Sequence, residues 1–340
     1  MTRRVPSPSA KAAKIAVVSR RSLAALAGAA TLVRLVGGRA RAGPPAAIRV
    51  GHFPNITHVQ ALVARALSRQ GKGWFEQRLG RPIEWFAYNA GPSAMEAIFA
   101  ESIDLTYVGP SPAINAYAKS RGEEIRIVAG ALDGGSALVV RPDEALRTAA
   151  DFRGKRIGTP QLGNTQDVAA RSWLASGGLR ITLTGGDAQV IPTANPDQLG
   201  LFRTKQLDGV WTVEPWVSRL ELEADGKVLV DQRDAVTTVL VSRAKFLASQ
   251  RALVRDFVRA HDELTAWVRA NPEEAQKMVR DELSAEMRSE VSSKLVAHAW
   301  ARIVPTSEIA PEALVHFVAD ARQAGFLRTA PDLSRLVERP

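Results

Sequence analysis

The 340-residue chain contains no cysteine. That excludes disulfides, thiolate metal sites, cysteine nucleophiles and anchoring through a lipoprotein cysteine. No apolar run approaches the ~20 residues that span a bilayer. Catalytic signatures are missing too. His261-Asp262-Glu263 lacks the second histidine of a zincin, and Gly134-Gly135-Ser136 is no nucleophile elbow. Lys155 and Lys205 stand singly near loops, and His52 and His58, six apart, match no common metal pair. The sequence therefore predicts no catalytic residue, no metal and no cofactor. One further absence relocates the charge. Met1 to Ala42 holds nine basic residues and no Asp or Glu, so removing it takes the formal +10 to about +1. A basic balance confined to one end excludes a nucleic-acid partner.

That basic segment has the layout of an export signal. A long positive region precedes Ser19-Arg20-Arg21-Ser22-Leu23, and a small-residue apolar stretch runs from Leu23 to Val33. Ala40-Arg41-Ala42 offers small residues for cleavage before Gly43-Pro44-Pro45. The paired arginines and modest hydrophobicity predict the twin-arginine route and a periplasmic product.

Beyond the leader, strand-like runs alternate with helical ones. Ile48–Phe53, Pro82–Tyr88, Asp104–Val108 and Ile125–Leu132 read as strands separated by helices, the order of parallel β-α-β units. Ser136–Arg141 leaves that series, and a second follows: strands near 155–158, 189–192, 207–212 and 228–230, with helices between. Thr237–Ser242 returns the chain, after which 251–270, 272–282, 284–300 and 311–324 read as helices. The expectation is an α/β fold of two lobes, each a mostly parallel sheet with flanking helices, plus a helical C-terminal tail. Its divisions fall at 43–135 (lobe 1, first part), 136–236 (lobe 2) and 237–340 (return and tail). A single doubly wound sheet is the alternative.

Three of the strand-to-helix turns share a composition. Tyr88-Asn89-Ala90-Gly91-Pro92-Ser93, Tyr107-Val108-Gly109-Pro110-Ser111-Pro112 and Gln161-Leu162-Gly163-Asn164-Thr165-Gln166-Asp167 each put glycine and small hydroxyl or amide residues at a helix start. Helix N-termini present unpaired N–H groups and partial positive charge. Glycine allows close approach, and Ser, Thr, Asn and Gln add donors. Each turn is therefore either an ordinary cap or a cradle for an anionic oxygen. Gly91, Ser93, Gly109, Ser111, Asn164, Thr165 and Gln166 are the candidate donors; Asp167 fits the first helical turn better than an anion site.

Three stretches carry a resemblance to a known family: TPQLGNTQDVAARSWL (Thr159–Leu174), VWTVEPW (Val210–Trp216), and NAGPSAMEAI (Asn89–Ile98) followed by DLTYVGPSPAINAY (Asp104–Tyr117). From Ile48 onward the chain resembles the periplasmic substrate-binding components of importers for aliphatic sulfonates, taurine and nitrate. The resemblance implies a type II periplasmic-binding-protein fold, a small oxyanion of the sulfonate class held between the lobes, and delivery as a monomer to an ABC permease with its ATPase. Nitrate, bicarbonate or taurine are alternatives within the family; an enzyme related to pyrimidine-synthesis proteins is the alternative outside it. A sulfonate offers only acceptor oxygens, so its pocket needs donors plus an apolar wall. Phe53 and Asn55, beyond the first strand, and Trp211 complete the predicted site. Glu214 is either an amine partner or a helix-start residue.

Overall fold

Residues 46–143, 145–309 and 311–340 are described by the structure, a computed structural model; the predicted leader, residues 1–42, lies outside them. The first series runs β1 (Ile48–His52), α1 (Val59–Arg69), α2 (Trp74–Leu79), β2 (Ile83–Ala87), α3 (Gly91–Phe99), β3 (Leu105–Val108), α4 (Pro110–Lys119) and β4 (Ile125–Gly134). The second runs β5 (Ser136–Val140), β6 (Arg156–Thr159), α5 (Thr165–Ser176), a small hairpin β7–β8 (Ile181–Thr182 and Gly185–Gly186), β9 (Gln189–Pro192), α6 (Asn195–Arg203), β10 (Gly209–Val213), α7 (Trp216–Ala224) and β11 (Lys227–Asp231). Then come β12 (Val236–Arg243), α8 (Ala244–Ser249), α9 (Arg251–Ala270), α10 (Pro272–Met287), α11 (Ser293–Trp300), β13 (Ile303–Pro305) and α12 (Val315–Gln323).

The strands form two main sheets, ordered β13-β4-β12-β3-β1-β2 and β11-β5-β10-β6-β9. Each is mixed, which corrects the expectation of mostly parallel sheets. The strand-helix-strand units do pair in parallel: β1 with β2 and β3, β6 with β9 and β10. The strands at the crossings do not. β12 inserts antiparallel between β3 and β4, and β5 runs antiparallel to both β10 and β11. A chain that leaves one sheet and re-enters it needs no helical crossover, so it is free to pair antiparallel. β12 is buried along nearly its whole length, as the unbroken apolar and threonine run TTVLVS suits.

Helices cover the sheets with apolar stripes. Along α9, Val254, Phe257, Val258, His261, Leu264 and Val268 are buried, the three-and-four spacing of a core-facing helix. Phe257 stacks on Phe75 at 4.2 Å between ring centroids, which gives the short α2 its place. The tail helix expected at 284–300 is two pieces. α10 continues to Met287 and stops where Arg288 turns left-handed (φ 52°). α11 restarts after Ser292, whose hydroxyl accepts from the Leu295 N–H at 3.1 Å.

His261 is a structural histidine within this layer. Its Nε2–H donates to the Gly130 carbonyl at 2.8 Å, and Nδ1 lies 3.0 Å from the Tyr107 hydroxyl. Burial pushes its pKa down to about 4 from an ordinary 6.5. Between those values the unfolded chain binds a proton that the folded chain refuses, so this contribution is lost as pH falls. Relative to a His261→Gln variant, the wild type should lose several degrees of melting temperature between pH 7 and pH 4.5. A melting-temperature difference independent of pH would contradict that assignment.

Candidate functional site

The carboxyl ends of strands from both sheets open onto one small cavity of about 30 Å³. Phe53 follows β1, Asn89 follows β2 and Gly109 follows β3; from the other sheet come Pro160 after β6, Asn195 after β9 and Val213 ending β10. This is where α/β sheets hold ligands, because successive helix starts gather there. Thr237 and Thr238, opening β12, complete the wall.

Helices α3, α4, α5 and α6 all begin at the cavity, through Gly91, Gly109, Thr165 and Asn195. At α3, α4 and α6 no side chain caps the N-terminus. At α5 the Asn164 side chain accepts from Asp167 N–H at 2.8 Å. Among the described residues, the N–H groups of Gly91, Thr165 and Gln166 have no protein acceptor. Thr238 is buried with its hydroxyl unpartnered. Among the described residues that line the cavity, only His58 is ionisable, and neither Lys nor Arg is present. The site is thus rich in neutral donors and in converging helix dipoles, a setting that favours anionic oxygen.

Of the residues predicted from sequence, the cavity brings together Phe53, Asn55, Gly91, Gly109, Asn164, Thr165 and Gln166. Four others lie elsewhere. Ser93 accepts from Gln161 Nε2 at 3.0 Å, a bond across the two sheets' loops. Ser111 is fully buried, its N–H directed at Thr165 Oγ1 at 3.4 Å. Trp211 belongs to the core of the second sheet: it meets Trp173 edge-on at 5.9 Å and donates to Gln232 at 3.1 Å. Glu214 turns away into an ion pair with Arg302 at 3.1 Å and accepts from Ser218 N–H at 3.1 Å. Burial pushes its carboxyl up to about 7, against the pull of Ser218 and Arg302. A fully buried carboxylate so engaged is part of the joint between the lobes.

Sequence reasoning missed Thr57, His58, Asn89, Asn195, Val213, Thr237 and Thr238 as cavity residues. Asn195 had a usable signal, since Asn195-Pro196 opens a helix after a strand much as Gly91-Pro92 does. Thr237 and Thr238 had none, because only the return of β12 to the first sheet carries them there.

The lobes meet around the cavity. Asn55 Oδ1 accepts from Trp216 Nε1 at 2.8 Å and from Asn195 Nδ2 at 3.3 Å. Ile56 N–H donates to the Glu214 carbonyl at 3.0 Å, and Asn89 Nδ2 to that of Pro160 at 3.1 Å. A Cβ on Gly109 would lie 2.3 Å from Thr165 Oγ1, so glycine is what permits this approach. Among the described residues, no group of three or more His, Asp or Glu is placed to hold a metal ion, and no helix is long and apolar enough to cross a membrane.

Known proteins resemble this chain in sequence and in fold. The chain is 26% identical over 238 residues to a Brucella abortus protein provisionally named a binding protein, covering 67% of this chain and 69% of that one. It is 24% identical over 213 residues to the taurine-binding periplasmic protein of Escherichia coli, covering 60% and 63%. In structure it resembles the alkanesulfonate-binding protein of Xanthomonas axonopodis pv. citri, solved bound to MOPS, with a TM-score of 0.69, 22% identity and coverage of 88% and 100%. The fold is accordingly the two-lobed periplasmic-binding-protein fold. The family model for NMT1-like proteins matches residues 41–281, well over half of the sequence, and the chain belongs to the NMT1-like family.

Proposed function

We propose that the protein is the periplasmic solute-binding component of an ABC importer, capturing an aliphatic sulfonate or a related small oxyanion between its lobes. It acts as an exported monomer, leaves by the twin-arginine route, and delivers its ligand to a membrane permease driven by an ATPase. The lobes divide at 43–135 with 237–340, and at 136–236. The observation that carries this reading is the convergence of four helix N-termini on a cavity lined by neutral donors and no Lys or Arg. Such a site satisfies acceptor oxygens without a counter-ion. Phe53, Pro112 and Val213 supply apolar wall for a short tail. Relatives named for taurine and alkanesulfonates give the same ligand class. The output is ligand capture and lobe closure, with no chemical step.

A thermal-shift panel tests the proposal with ethanesulfonate, taurine, nitrate, sulfate and bicarbonate. A ligand present at 100 times its Kd stabilises the folded state by about 2.7 kcal/mol. At about 2 °C per kcal/mol for a chain of this size, that is a rise of about 5 °C. Ethanesulfonate or taurine should give it; a flat response to all five contradicts the function.

A further inference from the structure

Among the described residues, the one ionisable group lining the cavity is not explained by the helix-start turns. His58 ends the single-turn helix Ile56–His58, is buried, and is one of the residues that line the cavity. The Phe53 N–H points at its Nδ1 at 3.3 Å. A backbone N–H only donates, so Nδ1 must accept and the ring hydrogen sits on Nε2. Among the described residues Nε2 has no protein partner, yet it is not enclosed like the buried orphan atoms nearby. The ring is clamped by Phe53 at 4.3 Å between centroids and by the edge of Tyr107 at 6.4 Å. The charged group that acts on it is His52, which disfavours a second positive charge and is itself engaged with Glu286 and Arg65; the Tyr107 hydroxyl is taken by His261. Desolvation, with a smaller repulsion from His52, holds the His58 imidazole well below its ordinary value.

We propose that His58 is a ligand-binding residue that presents a neutral Nε2–H donor to one oxygen of the bound oxyanion, and that the Phe53 N–H fixes the tautomer that makes this possible. The proposal rests on the function proposed above and adds a donor that the turns do not supply. It explains why a histidine tolerates a buried place beside an anion site with no carboxylate to pair it. The ring is held as a directional donor whose charge state does not change.

The test is nitrogen NMR of histidine-labelled protein, with the His58 signals assigned by their loss in His58→Gln. The ligand-free wild type should show the Nε2–H tautomer. Titration with ethanesulfonate should move the Nε2 resonance in step with occupancy while Nδ1 stays an acceptor. By calorimetry, His58→Ala should bind ethanesulfonate about tenfold more weakly, and His58→Gln, whose amide reaches the Nε2 position, should recover part of that loss. An Nδ1–H tautomer, or an Nε2 signal unmoved while the wild type binds ethanesulfonate, overturns the inference alone. Failure of the wild type to bind any of the five panel anions overturns the proposed function and this inference with it.

Discussion

Replacing Gly109 by Val should weaken ethanesulfonate binding about 100-fold while leaving the ligand-free melting temperature within about 2 °C. Gly109 has an ordinary extended backbone (φ −69°, ψ 153°), so a side chain does not strain its own conformation, and a Cβ lies at ordinary contact distance, 3.6 Å, from the Thr237 carbonyl. The conflict is across the cavity. A Cβ there meets Thr165 Oγ1 at 2.3 Å and Thr165 Cβ at 3.3 Å. Overpacking of this kind costs about 1–3 kcal/mol, and the second branch of valine puts the cost at the upper end. That cost falls on the arrangement in which α4 and α5 start side by side, the one the proposed ligand capture requires. Calorimetry and a melting curve on the same preparation separate the two effects. Full affinity in the variant would mean that the two helix starts do not have to meet around the ligand.

Asp167→Ala should cost about 3–5 kcal/mol of stability, because it strands a buried arginine. Asp167 and Arg171 are both essentially inaccessible, 0% and 1% exposed in their side chains, and are joined at 3.0 Å one helical turn apart. The carboxylate also accepts from the Gly163 N–H at 2.9 Å and the Thr159 hydroxyl at 3.0 Å, so it holds the turn that opens α5. At about 2 °C per kcal/mol for a chain of this length, melting should fall by about 6–10 °C. Adding Arg171→Met should recover part of the loss by removing the unpaired charge. A single variant that melts within a degree of wild type, or a double variant worse than the single, would contradict this account of the turn.

Much of this was legible from local pattern. The β-α-β order, the crossings near Gly135 and Ala235, and the Gly91, Gly109 and Gly163 helix starts all follow from residues adjacent in sequence. Direction of pairing was not legible at the crossings, since an isolated strand such as TTVLVS carries no mark of which neighbour it will find. The same reason hid Thr237 and Thr238. Trp211 and Glu214 misled for a different reason. They sit in the VWTVEPW stretch beside the site, but Trp211 lies further back along β10, in the core of the second sheet, while Val213 at the strand's end lines the cavity. Glu214 is claimed by Arg302, 88 residues away, a partner no local reading supplies. Asp167 shows the reverse case: judged from its place at a helix start, it is structural, and its contacts give the reason.

The central claim is that one oxyanion is held in this cavity by uncharged donors from both lobes. Calorimetric titration with ethanesulfonate, run in parallel on wild type and Gly109→Val, tests it most directly. The wild type should bind one ethanesulfonate per chain, and the variant should bind it about 100-fold more weakly. Absence of heat with the wild type, or an unchanged isotherm in the variant, would contradict it.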